Sequence, residues 1–154
     1  MKGRKRHILV DTQGFVLKVL VHSADIHDRD GGQRLLELGV KQQFPRLRHL
    51  WVDLGYRGRF VKWVKETLKW SVTVSKHWWQ GVSKVWVAPG QEAPTYPAGF
   101  QVLKWRWIVE RTFAWLSFNR RFSKDYEFLP QTGETWIYLS MSRLMLRRLA
   151  RIKT

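Results

Sequence analysis

The sequence predicts an α/β layer fold, and three observations lead to this prediction. A β-hairpin stands near the start of the chain, helical and strand-like stretches alternate after it, and helices end it. With 154 residues, of which 44% are hydrophobic, the chain is long enough to bury the core of a single domain. Strands that alternate with helices are typical of layered α/β proteins.

The hairpin is predicted from two β-rich runs that flank a polar turn. His7-Ile8-Leu9-Val10 is the first run, and residues 15–22 are the second. The turn between them, Asp11-Thr12-Gln13-Gly14, holds residue types that favour chain reversal. We therefore expect an antiparallel pair.

A helix is predicted over residues 32–44, with Asp30 as its capping residue and Pro45 after its end. Residues 49–53 form an almost wholly apolar run, which is typical of a strand covered on both faces. Helical spacing of apolar residues over 59–69 and a β-rich run over 71–75 predict one more helix and strand.

The C-terminal half begins with a Trp- and Pro-rich insertion at about 76–103, which holds three of the five prolines. Helices are predicted at about 103–119 and 134–152. Arg143, Arg147 and Arg151 recur at i,i+4 spacing on one side of the last helix. Four tryptophans on apolar stripes are expected in the core, and two others are better candidates for exposed contacts with unpaired bases: Trp51, Trp63, Trp105 and Trp115, then Trp78 and Trp79.

The charge of the chain points to a polyanionic partner. Lysine and arginine number 28 against 12 acidic residues, which gives a formal net charge of +16. Such a field attracts nucleic acid or anionic lipid. No apolar run approaches the roughly 18 residues of a membrane span, so nucleic acid is favoured. The absence of cysteine excludes thiolate chemistry and suits a cytoplasmic protein.

Two carboxylates stand out in strongly apolar surroundings: one ends a predicted strand, and the other lies within a predicted helix. Asp53 follows the run His49-Leu50-Trp51-Val52, and Glu110 lies between Arg106 and Arg111 on a predicted amphipathic helix. Two carboxylates from different elements of a strongly basic chain suggest a metal site that faces a polyanion. This combination is suited to phosphodiester chemistry on DNA.

Four segments, in the order in which they occur here, resemble bacterial insertion-sequence transposases of the DDE class, insertion-sequence-five branch. They are Lys2 to Thr12, Val21 to Asp30, Trp51-Val52-Asp53-Leu54-Gly55-Tyr56, and Arg106 to Trp115. The chain resembles the C-terminal catalytic portion of such a protein, and the resemblance is weakest over 76–103.

The resemblance implies a ribonuclease-H-like mixed sheet flanked by helices, in which two Asp and one Glu hold two Mg²⁺ ions, with Mn²⁺ as an alternative. Asp53 and Glu110 match the second Asp and the Glu, as catalytic residues and metal ligands. DNA, as transposon ends and target, is the implied partner. The DNA-contacting residues are expected to be basic ones: Arg106, Lys2, Arg4, Lys5, Arg6, Arg120 and Arg121.

The chain also departs from the family pattern. The family's first Asp lies on a first strand upstream of the segment with which this chain begins. We therefore expect residues 1–154 to be a single truncated domain without its first strand, inactive alone, and partnered by an upstream reading-frame product or by further copies. Leu103 stands where related proteins have Tyr, and Ser117 stands where they have a basic residue, for which Arg120 or Arg121 is a substitute.

Simpler interpretations stand beside these. Asp53 is also suited to capping a turn, and Glu110 to a solvated ion pair with its arginine neighbours. A polar group after the second strand could be a metal site or a helix-capping loop: His22, Asp25, His27, Asp28 and Asp30. At the level of function, a non-catalytic DNA-binding remnant and an RNA-binding protein of ribosomal type are the alternatives.

Overall fold

The computed structural model describes residues 3–75 and 105–152, and within them strands and helices alternate in a mixed α/β arrangement. This confirms the predicted class. The described strands form two separate sheets of two strands each, one antiparallel and one parallel. The Trp- and Pro-rich insertion, with Trp78 and Trp79, lies outside the described residues.

The antiparallel sheet is the predicted hairpin, formed by β1 (Arg4–Val10) and β2 (Val16–Ser23). Its turn is closed by Asp11, whose Oδ1 accepts hydrogen bonds from the backbone N–H groups of Gln13 (2.8 Å) and Phe15 (2.9 Å). This is the turn chemistry that Asp supplies. β1 begins three residues earlier than predicted, so the basic start of the chain belongs to the strand.

The parallel sheet consists of β3 (His49–Val52) and β4 (Ser71–Val74). A 3₁₀ turn (Leu54–Tyr56), helix α3 (Arg59–Trp63) and a π-helical turn (Val64–Leu68) connect them, so the helical stretch predicted over 59–69 is confirmed. The expectation that β3 is covered on both faces was wrong. Leu50 is buried, but Trp51 on the other face is 40% exposed.

The helix predicted over 32–44 is two helices, α1 (Asp28–Glu37) and α2 (Val40–Gln43). Gly39 separates them with a φ of 77°. The prediction that Asp30 caps the helix was wrong, because the N-cap residue is His27, which makes no capping hydrogen bond through its side chain. Asp30 lies within the first turn of α1, where its negative charge interacts favourably with the helix dipole. Its carboxylate also forms an ion pair with Arg59.

The C-terminal helices are α4 (Arg106–Ser117) and α5 (Pro130–Ile152), with a 3₁₀ turn (Arg120–Phe122) between them. α5 starts four residues before the predicted position, since Pro130 is well suited to the first turn of a helix. None of the helices in the described ranges is long and apolar enough to cross a membrane.

Two buried clusters stabilise the two halves of the fold. The first packs α1, α2 and α3 on the parallel sheet, through Leu36, Val40, Leu50, Phe60, Val64, Leu68 and Trp70. The second packs the hairpin against α4 and α5, through Val16, Val19, Val21, Leu116, Ile137 and Met141.

The tryptophans follow the predicted pattern only in part. Trp63, Trp105 and Trp115 are half-buried, whereas Trp51 is exposed, so its assignment to the core was wrong. Trp70, at 3% exposure, is buried in the first cluster.

Ile137 gives a test of how the hairpin is held. Its side chain is fully buried between α5 and the hairpin, so Ile137→Ala should lower the free energy of unfolding by about 2–5 kcal/mol. Leu139→Ala on the same helix, where the side chain is 55% exposed, is the matched control and should cost far less. Urea unfolding measures both values, and equal losses would contradict the described packing.

Candidate active site and nucleic-acid interface

Asp53 stands directly after β3, in extended backbone with φ −81° and ψ 179°. Its Oδ1 accepts a hydrogen bond from the backbone N–H of Gly55 (2.9 Å), which starts the 3₁₀ turn. The turn-capping role expected of such an Asp is therefore present. The side chain is exposed, so the carboxylate is also accessible to a ligand from solution.

Glu110 lies on the exposed side of α4, and the next two residues hold that helix on the hairpin turn. The hydroxyl of Thr112, which is fully buried, lies within donating distance of the Gly14 carbonyl (2.7 Å) and the Ile108 carbonyl (3.0 Å). Arg111 donates to the Gln13 carbonyl (2.7 Å). These contacts determine where the hairpin-facing side of α4 lies, and hence which side carries Glu110.

The elements that carry the two carboxylates touch each other. The rings of Trp51 on β3 and Trp105 at the start of α4 lie 5.3 Å apart between centroids. Since side chains alternate along extended backbone, Trp51 and Asp53 project from the same side of β3. Trp105, the residue before α4, therefore lies on the side of β3 from which Asp53 projects.

The carboxylate of Asp28 lies near that of Asp53. From the sequence, Asp28 was recognised only as one of the polar residues after β2. A Cβ added to Gly55 would lie 3.1 Å from Oδ1 of Asp53 and 3.4 Å from Oδ2 of Asp28, so both carboxylates border the same glycine. Asp28 also forms an ion pair with Lys5 (3.0 Å). Its contact with Gly55 had no signal in the sequence, because it arises from the packing of α1 on the 3₁₀ turn.

The interpretation of that polar group as a metal site was wrong. No group of three His, Asp or Glu side chains in residues 3–75 and 105–152 is placed to hold a metal ion. His22 is instead buried against His7, with a ring separation of 4.7 Å, while His27 is exposed at the start of α1.

The basic side chains of β1 make contacts within the protein. Arg4 donates to the carbonyls of Glu127 and Phe128 (2.6 Å each) and forms an ion pair with Asp125 (3.3 Å). Lys5 donates to the Ile26 carbonyl (2.9 Å) in addition to its contact with Asp28. The Arg6 guanidinium lies over the Phe122 ring at 5.7 Å. The contacts of Arg4 and Arg6 join β1 to the C-terminal half, and those of Lys5 join it to α1 and the segment before it; a role of these residues in DNA binding stays a prediction.

The other predicted DNA-contacting residues lie around α4. Arg120 is exposed after its C-terminal end. Arg121 forms an ion pair with Glu127 (2.7 Å) and stacks on Trp136 at 4.3 Å. Arg106 is the first residue of α4, but its side chain, like the whole of Lys2, lies outside the described part of the chain.

A group of stacked arginine and aromatic side chains borders α4 and was not predicted. The Arg111 guanidinium lies 4.3 Å from the ring of Trp107 and 4.7 Å from that of Trp115. Arg148 lies over Trp115 (4.5 Å) and Phe15 (4.8 Å). Of these side chains, Trp107, Arg111 and Arg148 line a surface groove that also touches the hairpin turn. The spacing of Trp107, Arg111 and Trp115 was the signal in the sequence, since i,i+4 neighbours share a helix face.

Together, these features define a basic α/β domain that presents acidic side chains beside stacked arginine and tryptophan side chains. The chain belongs to the transposase DDE domain family, which matches residues 1–145. Membership implies transposition as the activity and DNA as the partner. Searches of curated proteins and of solved structures found no match.

Thr112 allows a test of how α4 is positioned. Thr112→Val keeps the shape of the side chain but leaves the buried Gly14 carbonyl without this hydroxyl, which should lower the free energy of unfolding by about 1–3 kcal/mol. Thr135→Val on α5 is the matched control, because the Thr135 hydroxyl also donates to a backbone carbonyl but is exposed. Urea unfolding compares the two variants, and a cost for Thr112→Val no larger than that of the control would contradict the anchoring role.

Proposed function

We propose that the chain is the C-terminal catalytic portion of an insertion-sequence transposase, with a ribonuclease-H-like fold in which Asp53 and Glu110 are metal-binding catalytic residues. The observation that carries this proposal is the contact between Trp51 and Trp105, because it joins the strand that ends at Asp53 to the helix that carries Glu110. Family membership supports transposition over the RNA-binding alternative.

The donor chemistry fits Mg²⁺, or Mn²⁺ in its place. Both ions prefer oxygen ligands, and Mg²⁺ is commonly held by one or two carboxylates with water completing its shell. Asp53 and Glu110 are exposed carboxylates that could supply such ligands. When bound, a metal pair activates the attacking oxygen and stabilises the leaving oxygen of a phosphodiester. The backbone N–H of Gly55 donates a hydrogen bond to the Asp53 carboxylate and holds it in place.

We propose further that a strand carrying the first Asp completes the sheet between β1 and β3. In the described ranges, β1 pairs only with β2 and β3 pairs only with β4, so the outer edge of β1 and the outer edge of β3 are each open to such a strand. Leu9 of β1 packs against the cluster that also contains Leu50 of β3. This contact supports the placement, since it brings the two sheets side by side around one apolar cluster. The strand would come from an upstream reading-frame product.

DNA would lie along the basic surface around α4, with Arg106, Arg120 and Arg121 on its phosphates. Arg120 is exposed, so its charge is available to a polyanion. The stacked arginine and tryptophan side chains border the same helix. We keep Lys2, Arg4, Lys5 and Arg6 as further candidates, with the contacts of Arg4 and Lys5 inside the protein in competition with phosphate.

The first test concerns DNA binding. The chain should bind duplex DNA without sequence preference, and the logarithm of the binding constant should fall linearly with the logarithm of salt concentration. Arg120→Gln should reduce that slope by about one if Arg120 contacts a phosphate. Arg4→Gln is the control, and its slope should change less because Arg4 is already held by Asp125 and two carbonyls. Fluorescence anisotropy at several salt concentrations measures the slopes, and binding that is insensitive to salt would contradict the proposal.

The second test concerns catalysis. The chain alone should not nick DNA that carries the element ends, whereas a fusion to an upstream strand with an Asp should nick it in Mg²⁺. Asp53→Asn or Glu110→Gln in the fusion should reduce nicking by at least about a hundredfold, since even small displacements in such a site cost that much. Glu37→Gln, a change at an exposed carboxylate of α1, is the control and should leave nicking unchanged.

Two outcomes would change the proposal in different ways. If the short chain nicks DNA and Asp53→Asn stops it, another residue completes the site and the truncated-domain interpretation is wrong. If the fusion binds DNA with the expected salt dependence but never nicks it, the chain is a DNA-binding remnant.

A further inference from the structure

A buried group of three side chains, which plays no part in the proposed catalysis, joins the hairpin to the rest of the first half of the chain. His7 of β1 and His22 of β2 are 7% and 8% exposed, and their rings stack with an interplanar angle of 23°. Nδ1 of His7 lies 2.8 Å from the hydroxyl of Tyr56, in the 3₁₀ turn after Asp53. The group therefore links both strands of the hairpin to that turn.

Helix α1 covers this group through two adjacent glycines. A Cβ at Gly31 would lie 2.6 Å from Nε2 of His7 and closer still to Nε2 of His22. A Cβ at Gly32 would lie 2.6 Å from Cε1 of Tyr56. Glycine weakens a helix interior by about 1 kcal/mol relative to alanine. Two in succession are explained here by the close approach of the helix backbone to the three rings.

The hydrogen bonds indicate where the protons of the imidazoles lie. Nδ1 of His22 is 2.7 Å from the Ser23 carbonyl, which can only accept, so Nδ1 carries the proton and Nε2 of a neutral His22 does not. In the described part of the chain, Nε2 of His7 and Nε2 of His22 are both buried without a hydrogen-bond partner. A proton at Nε2 of His7 lies against the Gly31 backbone, with no acceptor for it among the described residues.

The surroundings of the group favour a neutral His7 overall. Burial, then the neighbouring His22, lowers the pKa of His7 from 6.5 to about 4, and Lys5 of β1 acts in the same direction. Asp28 of α1 opposes this shift. Asp25 after β2 is the acidic group near His22. Burial, with Asp28 and Asp53 adding to it, raises the pKa of the Tyr56 hydroxyl, so that hydroxyl stays protonated.

We propose that His7, stacked on His22 and paired with Tyr56, forms an acid-sensitive latch, which holds the first half of α1 on the hairpin while the His7 imidazole is neutral and releases it when His7 is protonated. A buried imidazolium needs water or an acceptor at Nε2. Because Gly31 occupies that position, water reaches Nε2 when the Gly31–Gly32 segment moves away. Leu36, at the other end of α1, belongs to the first cluster and retains its contacts.

The direction of the pH effect follows from the lowered pKa of His7. The closed state binds the proton less tightly than an open state with an ordinary histidine, so the latch is fully closed above about pH 6.5. Acid then favours the open state progressively until about pH 4. Between pH 7 and pH 5 the opening equilibrium should rise by about twentyfold, from the two pKa values alone.

Hydrogen exchange of the full chain tests this proposal, with protection factors corrected for the intrinsic pH dependence of exchange. Amides of residues 31–35 should lose about twentyfold in protection between pH 7 and pH 5. Amides around Ile137 in α5 should keep theirs, because α5 packs in the other cluster. A uniform loss in both places would mean general acid unfolding and would overturn the latch.

Variants identify the group that responds. His7→Gln can still pair with Tyr56 but does not titrate, so it should abolish most of the pH effect on residues 31–35. His27→Gln removes an exposed histidine at the start of the same helix and should retain the effect in full. If His7→Gln fails to fold, the imidazole proton signals of the unmodified chain decide: His7 must remain neutral at pH 5.5. A pH effect that persists in His7→Gln, or a His7 that titrates near 6.5, would overturn the proposal.

Discussion

The position of α4 is the constraint on which the candidate site depends. α4 is anchored at one end by the Trp51–Trp105 contact and in its middle by the buried hydrogen bond from Thr112 to the Gly14 carbonyl. The first contact belongs to the parallel sheet and the second to the hairpin. α4 therefore bridges the two halves of the fold, and the place of Glu110 relative to Asp53 follows from how both sheets hold this one helix.

The other bridge is α1, and it works by close packing. A sheet of two strands is marginally stable by itself, so each sheet here depends on the helices that cover it. α1 contacts both strands of the hairpin and also the 3₁₀ turn and α3. The Gly31–Gly32 pair lets its backbone approach His7, His22 and Tyr56 where any larger residue would collide. Among the described residues, these two helices join the halves through different chemistry: α4 is anchored by an uncharged hydroxyl and by tryptophan rings, and α1 packs on ionisable rings.

Much of the fold could be predicted from the sequence, because the features concerned are local. The hairpin turn follows from Asp11 and Gly14, and the helix over 59–69 follows from its apolar spacing. The cap of α1 was mispredicted for a physical reason. Asp30 does have the side chain of a capping residue, but the helix begins earlier, at Asp28, whose carboxylate pairs with Lys5 from a strand more than twenty residues away. Contacts of that kind leave no mark in a local pattern.

The site could be predicted only as far as its residue types. Asp53 and Glu110 were recognisable because each interrupts an apolar run, but the neighbour of Asp53 across Gly55, Asp28, became visible only in the packed structure. The same holds for the basic side chains. Sequence assigns every arginine the same charge, whereas the structure separates Arg4, held by a carboxylate and two carbonyls, from Arg120, which is exposed.

The difference between arginines held within the protein and exposed arginines explains how a chain of net charge +16 can stay folded and still attract DNA. Part of its positive charge is used within the protein, where Arg4, Lys5 and Arg121 hold the C-terminal half and α1 through carboxylates and carbonyl oxygens. Stacking on tryptophan accommodates Arg111 and Arg148 beside apolar rings, since guanidinium is weakly hydrated and packs on aromatic faces. The exposed arginines that remain repel one another, and this repulsion is relieved when a polyanion binds. Arg121, which pairs with Glu127 and is also a proposed contact of phosphate, would couple DNA binding to the stability of the fold through charge.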